Sequence, residues 1–283
     1  MSTAGGIGDS QEHVAWLRQI KLNALASIAT LLRPPRCHVS WPSYRAMGLA
    51  AVATIVVVIA CMIMLDDWAI AAVRHLPASL IEAFDRFTDF GKSGYFLWPL
   101  GFALVLLAIF DSPMKPRFSR HVLAAWAVRL GFVFTAIAVP GLFVTIIKRL
   151  IGRARPLAAG DNIWVYMPFG WKVEYASLPS GHATTAFSAL VAIGAIFPQA
   201  RTLMWIYAVL IALSRVIVTA HHPSDVVAGA IVGAVGALLV RNWFAARRLG
   251  FRVGSDRAVH SMPSPSWRRI IKAVSHRRSP AST

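Results

Sequence analysis

Six apolar stretches, at roughly 47–65, 94–110, 122–147, 182–199, 202–220 and 226–244, constrain this chain more than any other feature. A helix that crosses a bilayer needs ~20 mostly apolar residues, and each stretch is near that length. The whole chain is 57% hydrophobic and 14% charged, with a mean hydropathy of +0.58, too apolar for an ordinary water-soluble domain of its length. The pattern predicts an all-α fold: a polytopic membrane protein with a six-transmembrane-helix bundle. It occupies 47–245, between an N-terminal segment, 1–46, and a basic tail, 246–283. No internal repeat or long low-complexity segment interrupts this partition.

Lys and Arg are enriched on cytoplasmic flanks, and their placement sets an expected orientation. With both termini inside, the cytoplasmic set is Arg18, Lys21, Arg33, Arg36 and Arg45 before the first span, Lys115, Arg117 and Arg120 between the second and third, Arg201, and the tail from Arg241 to Arg278. The opposite-side segments, 66–93 and 148–181, carry most of the acids, including Asp66, Asp67, Glu82, Asp85 and Asp89. The net charge of +17 is therefore mainly a topology signal. It does not point to nucleic acid, because the basic residues are scattered beside spans. Cys37 falls on the cytoplasmic side and Cys61 inside the first span, so no disulfide framework is implied. The polar start, with no cleavage site after the short apolar run at 22–32, predicts a mature protein beginning near Met1. Val14, Leu17, Ala24, Ile28 and Leu31, at helical spacing beside Arg18 and Lys21, predict an interfacial amphipathic helix ended by Pro34 and Pro35. The tail "SWRRIIKAVSHRRS" has a similar character and suits anionic headgroups.

Ionisable residues at membrane depth are expensive and point to function. Three groups fall at one face in this topology: "KRLIGRARP" after the third span, "PSGH" opening the fourth, and "SRVIVTAHHPSD" between the fifth and sixth. Lys148, Arg155 and Arg215 offer three cations, and Arg grips two phosphate oxygens at once. Ser180 and Gly181 stand at a helix N-terminus, where backbone N–H groups and the dipole favour an anion. Two histidines supply chemistry of the kind phosphoryl transfer uses: one attacks phosphorus and one protonates the departing oxygen, while a carboxylate steadies the attacking imidazole. Asp225, four residues after His221, is within reach of it if the segment turns helically.

Lys148-x6-Arg155-Pro156, Pro179-Ser180-Gly181-His182 and Ser214-Arg215-x5-His221-x3-Asp225 together resemble the three-part signature of the type 2 phosphatidic acid phosphatase superfamily. Every signature position is filled, in order, over residues 148 to 225. The resemblance implies His221 as the nucleophile of a phosphohistidine intermediate, His182 as the general acid and Asp225 as the partner of His221. Lys148, Arg155, Ser180, Gly181 and Arg215 would hold the phosphate, and no metal or other cofactor is needed. His222 is the competing histidine, but only His221 has the signature spacing, so His222 is expected at the rim or beside the helix cap. Pro223 suits the first turn of the sixth helix. Arg129 matches no motif, and snorkelling to the interface is its expected role.

The family's membrane branch implies a lipid phosphate or diphosphate drawn from the bilayer, with undecaprenyl diphosphate, phosphatidylglycerol phosphate, phosphatidic acid and lipid A phosphate as candidates. Arg149 and Arg153 are spare charges that would suit a diphosphate or a multiply phosphorylated headgroup, or else stand simply as interface residues. In the segment "NIWVYMPFGWKVEY", Trp164, Tyr166, Trp171 and Tyr175 resemble aromatic interface anchors; the loop either serves only as that anchor or also roofs the site, and its alternation about "PFG" allows a short hairpin. A phosphotransferase would keep the same residues, and a phospholipid transporter would not need both histidines. The expected setting is a bacterial inner membrane with the site facing outward, without nucleic acid or an obligatory protein partner.

Overall fold

A computed structural model describes residues 18–23, 25–26, 28–110, 117–160, 162–263, 268 and 271. From Tyr44 onward the main elements are α1 (Tyr44–Cys61), a π-type turn (Met62–Asp66), α2 (Asp67–Val73), α3 (Ala78–Thr88), α4 (Gly94–Phe110), α5 (Arg117–Ile151), the one-turn α6 (Pro156–Ala159), α7 (Gly181–Ile196), α8 (Arg201–Ile217) and α9 (Pro223–Ala246). A small antiparallel hairpin follows, β1 (Phe251–Val253) with β2 (Val259–Ser261).

Among the described residues, Tyr44–Val73, Ala78–Ile109, His121–Ile151, Pro198–Ile217 and Pro223–Ala246 are helical, long and apolar enough to cross a membrane. The remaining expected span is α7, apolar but only 16 residues long, hence about 24 Å against a hydrocarbon core of ~30 Å. Leu49 at 72% and Trp98 at 81% exposure present apolar surface of the kind a bilayer covers. The segment 66–93, expected to be a connection, is largely helical. The helix of the first span continues through the π-turn into α2, and "ASLIEAFDRFT" is a charged amphipathic helix that leads into the apolar α4.

The chain divides into two compact units. Among the described residues, one unit draws on those within 18–39, 100–131 and 244–271, the other on those within Ser40–Pro99 and Phe132–Trp243. In the first, the Arg129 guanidinium does not reach for the interface. It is buried and donates to the carbonyls of Ala125, Met262 and Pro263 at 2.8–2.9 Å. The backbone N–H groups of Arg36 and Cys37 bond the Ala246 carbonyl. Val14, Leu17, Ala24 and Lys115 lie outside the described residues, as does most of the "SWRRIIKAVSHRRS" tail.

The second unit is built around a close crossing of α7 and α9. Gly229 and Gly233 give α9 a small-xxx-small face: a side chain on either would run into the Ser180 or Thr184 carbonyl of α7. The Ser188 hydroxyl donates across the same seam to the Gly233 carbonyl at 3.1 Å. On the other side of α7, Ala186 and Leu190 pack with Ala208 and Ile211 of α8, flanked by Phe87 of α3. Val58 and Met62 of the first span pack on Ala228 of α9. These contacts fix the starts of α7 and α9 beside the end of α8.

Candidate active site

His221 sits in the short link between α8 and α9 and is only 2% exposed. Helix α9 opens at Pro223, whose missing N–H costs nothing at the first helical position. Asp225, in that first turn, reaches back to accept the backbone N–H of His222 at 2.9 Å, the reciprocal half of a capping box. The same oxygen, Oδ2, accepts the Ser177 hydroxyl at 2.6 Å and lies 3.3 Å from His222 Nδ1. Oδ1 accepts Arg153 Nη1 at 2.7 Å. The carboxylate is therefore held on both oxygens.

His221 Nδ1 is 3.8 Å from Asp225 Oδ2 and 3.3 Å from Ser177 Oγ. A carboxylate only accepts, so the Ser177 proton points to Asp225 and the serine oxygen is left to accept from His221. That places the imidazole proton on Nδ1 and the lone pair on Nε2. Burial, then the charges of Arg215 and Arg155, outweigh the opposing pull of Asp225 and lower the His221 pKa to about 4. A neutral imidazole with a free Nε2 is the form that attacks phosphorus.

The other signature residues converge here. Ser180 caps the start of α7, is fully buried, and ties its own N–H to the Asp225 carbonyl at 2.9 Å. What it can offer an anion is therefore its hydroxyl, which has no hydrogen-bond partner among the described residues. His182 Nε2 and Arg155 Nε are in the same condition. A side chain on Gly181 would begin 3.4 Å from Lys148 Nζ, which places that ammonium beside the helix start. His182 is faced by the cations Arg215, Lys92 and Lys148 and by the His221 imidazole. Burial pushes Arg155 below its usual value, with Asp225 and Glu174 acting against the shift. Arg215 donates to Thr88 Oγ1 at 2.7 Å, so α3 aims it. Thus Lys148, Arg155, Ser180, Gly181, His182, Arg215, His221 and Asp225 form one cation-rich cluster at the ends of α5, α7, α8 and α9, with Ser180, Arg215, His221 and Asp225 buried and the other four partly exposed.

The two spare charges are already engaged by protein groups. Arg153 is fully buried and bridges Asp225 to Asp66, with Nη2 2.8 Å from Asp66 Oδ2. Burial opposes its charge, yet Asp225 and Asp66 outweigh that and hold its pKa above the usual value. Arg149 donates to the carbonyls of Trp171 and Lys172 and lies over the Trp171 ring. His222, expected at the rim or cap, is buried at the cap. The "PFG" segment does not pair with itself. Tyr166 bridges Arg153 instead, and Met167 and Phe169 donate to the Gly152 and Arg149 carbonyls. Gly152 takes φ +66°, and a side chain there would strike the Met167 backbone, so this glycine lets the loop lie on the end of α5. Sequence reasoning missed Asp66, Ser177, Ser224, Thr88 and Gly91. Gly91 packs against His182, where a side chain would start 2.9 Å from its Cδ2.

Residues 129–249 match the model of the PAP2 superfamily. The chain is 31% identical over 186 residues to lipid A 1-phosphatase of Rhizobium etli, covering 64% of this chain and 78% of that protein. It is 35% identical over 136 residues to decaprenylphosphoryl-5-phosphoribose phosphatase of Mycobacterium tuberculosis, covering 48% and 68%. A solved phosphatidylglycerolphosphate phosphatase from Bacillus subtilis aligns at a TM-score of 0.48 and 20% identity, over 68% of this chain and 94% of that one. The chain belongs to the PAP2 superfamily, and it is an integral membrane protein.

Proposed function

We propose that this chain is a membrane phosphatase that hydrolyses a lipid phosphate through a phosphohistidine on His221. The observation that carries the reading is the convergence, at the ends of four helices, of two histidines, three cations and a serine hydroxyl that has no partner among the described residues. His221 Nε2 attacks phosphorus in line while the bond to the lipid oxygen breaks, and His182 donates the proton that this oxygen takes. Lys148, Arg155, Arg215 and the Ser180 hydroxyl hold the equatorial oxygens, so charge spread in the transition state meets preorganised donors. His182, now without its proton, takes one from water. The hydroxide formed displaces His221 from phosphorus and releases phosphate. Asp225 steadies the positive imidazole between the two steps. Histidines and fixed cations fill each role, and no metal is assigned one.

The curated relatives act on phosphorylated lipids, lipid A phosphates among them. A lipid A phosphate is the first substrate to test. Arg149 and Arg153, the charges that suited a diphosphate, are occupied by the loop carbonyls and by Asp66 and Asp225. The placement of Lys and Arg supports a bacterial inner membrane with both termini cytoplasmic and the site on the periplasmic face.

The test is phosphate release by detergent-purified protein, with chelator present, from lipid A, phosphatidylglycerol phosphate, phosphatidic acid and undecaprenyl diphosphate, beside His221→Ala. Release that survives the chelator and disappears in the variant supports the reading. Silence from folded protein across the panel contradicts it, and directs attention to a phosphotransferase acceptor.

A further inference from the structure

Asp66 ends the π-type turn of the first membrane helix and is fully buried. Such single-turn π distortions inside helices are frequent at functional sites. An intramembrane carboxylate is costly unless it is paired and hydrogen-bonded, and this one is bonded at both oxygens. Oδ2 accepts Arg153 Nη2 at 2.8 Å and the Ser224 hydroxyl at 2.6 Å, and Oδ1 accepts the Ser224 backbone N–H at 3.0 Å. That N–H is one of the amides left without an intrahelical partner at the start of α9, so Asp66 caps the helix that carries Asp225. Arg153 completes the loop, because Nη1 donates to Ser224 Oγ at 2.7 Å and to Asp225 Oδ1 at 2.7 Å. All four side chains are fully buried.

We infer that Asp66 is a positioning residue for the reaction, fixing Asp225 through Arg153 and Ser224. The inference rests on the reading of Asp225 as the partner of His221. Without Asp66, Arg153 has a single carboxylate to pair with and draws Asp225 toward itself, and the first turn of α9 loses its anchor. A misplacement of about 1 Å in such a site costs on the order of 10²-fold in rate.

The experiment is steady-state release of labelled phosphate from a lipid phosphate, over a range of substrate concentrations, by Asp66→Asn, Asp225→Asn, the double variant, Ser224→Ala and His221→Ala, with thermal midpoints measured in detergent. The expected result is a fall in kcat on the order of 10²-fold for Asp66→Asn with KM nearly unchanged, and no further loss when Asp66→Asn is added to Asp225→Asn. Wild-type kcat in folded Asp66→Asn would overturn the inference. So would a loss that multiplies with that of Asp225→Asn, or one carried in KM, because a merely structural role predicts independence. If Asp66→Asn does not fold, Ser224→Ala, which leaves no unpaired charge, is judged by the same two criteria. Turnover surviving in His221→Ala would instead remove the functional reading beneath the inference.

Discussion

His221 Nδ1 and Asp225 Oδ2 lie 3.8 Å apart, beyond a direct hydrogen bond, and the Ser177 hydroxyl bridges the gap at 3.3 and 2.6 Å. The serine thus transmits the polarity of the carboxylate to the imidazole and selects the Nδ1–H tautomer. Ser177→Ala leaves a gap between the two. A hydrogen bond to a charged group contributes about 1.5–3 kcal/mol, so kcat should fall roughly 10–100-fold with KM little changed. Steady-state kinetics on a lipid phosphate checks this, and an unaltered kcat would remove Ser177 from the chain.

The acid limb of the pH profile belongs to His221. Protonation destroys the nucleophile, and burial with two neighbouring cations lowers its pKa to about 4. The His221 contribution to kcat/KM should therefore persist as pH falls through 6 and be lost only near 4. Arg155 is one of those cations. Removing it favours the protonated imidazole, so Arg155→Met should move the limb to higher pH. Comparing the two proteins on one substrate cancels the ionisation of the substrate phosphate.

Replacing Arg215 with Lys keeps the charge but loses the planar fork and the Thr88 contact. Loss of one preorganised donor at a developing anion costs about 10²–10³ in kcat, and Arg215→Lys should fall in that range. Inorganic vanadate, which mimics the transferring phosphoryl group, should inhibit the variant more weakly. Equal vanadate inhibition in both proteins would detach Arg215 from the phosphate.

Much of this was legible in the sequence, and the reason differs from part to part. Apolar runs of bilayer length report spans because the solvent imposes the length. The residues from Lys148 to Asp225 are readable because their spacing reflects their shared task. Asp66, Ser177, Arg153 and Thr88 were not, since each acts through a contact set by tertiary packing. Asp66 lies one residue beyond an apolar run and read as the start of an outer segment, whereas the π-turn carries it inward. Arg153, one surplus charge beside Arg155, looked free for a headgroup until its two carboxylate partners were placed. The one usable signal was an ionisable residue at the edge of a span.

The crossing of α7 and α9 sets the distance between His182 and His221, and it depends on small residues. Gly233→Val would drive a side chain into the Thr184 backbone. Overpacking of this kind costs about 1–3 kcal/mol, so the thermal midpoint in detergent should drop, with activity lost even in the folded fraction. A midpoint equal to that of the wild type would show that the helices are not in tight contact there.

The most direct test of the central claim is to trap the phosphoenzyme. Protein mixed with a phosphorus-labelled lipid phosphate and quenched in alkali, where phosphohistidine survives, should carry label on the peptide containing His221. The account predicts that this label is acid-labile, turns over with phosphate release, and is absent from His221→Ala. Turnover without label, or label that persists in His221→Ala, would contradict it.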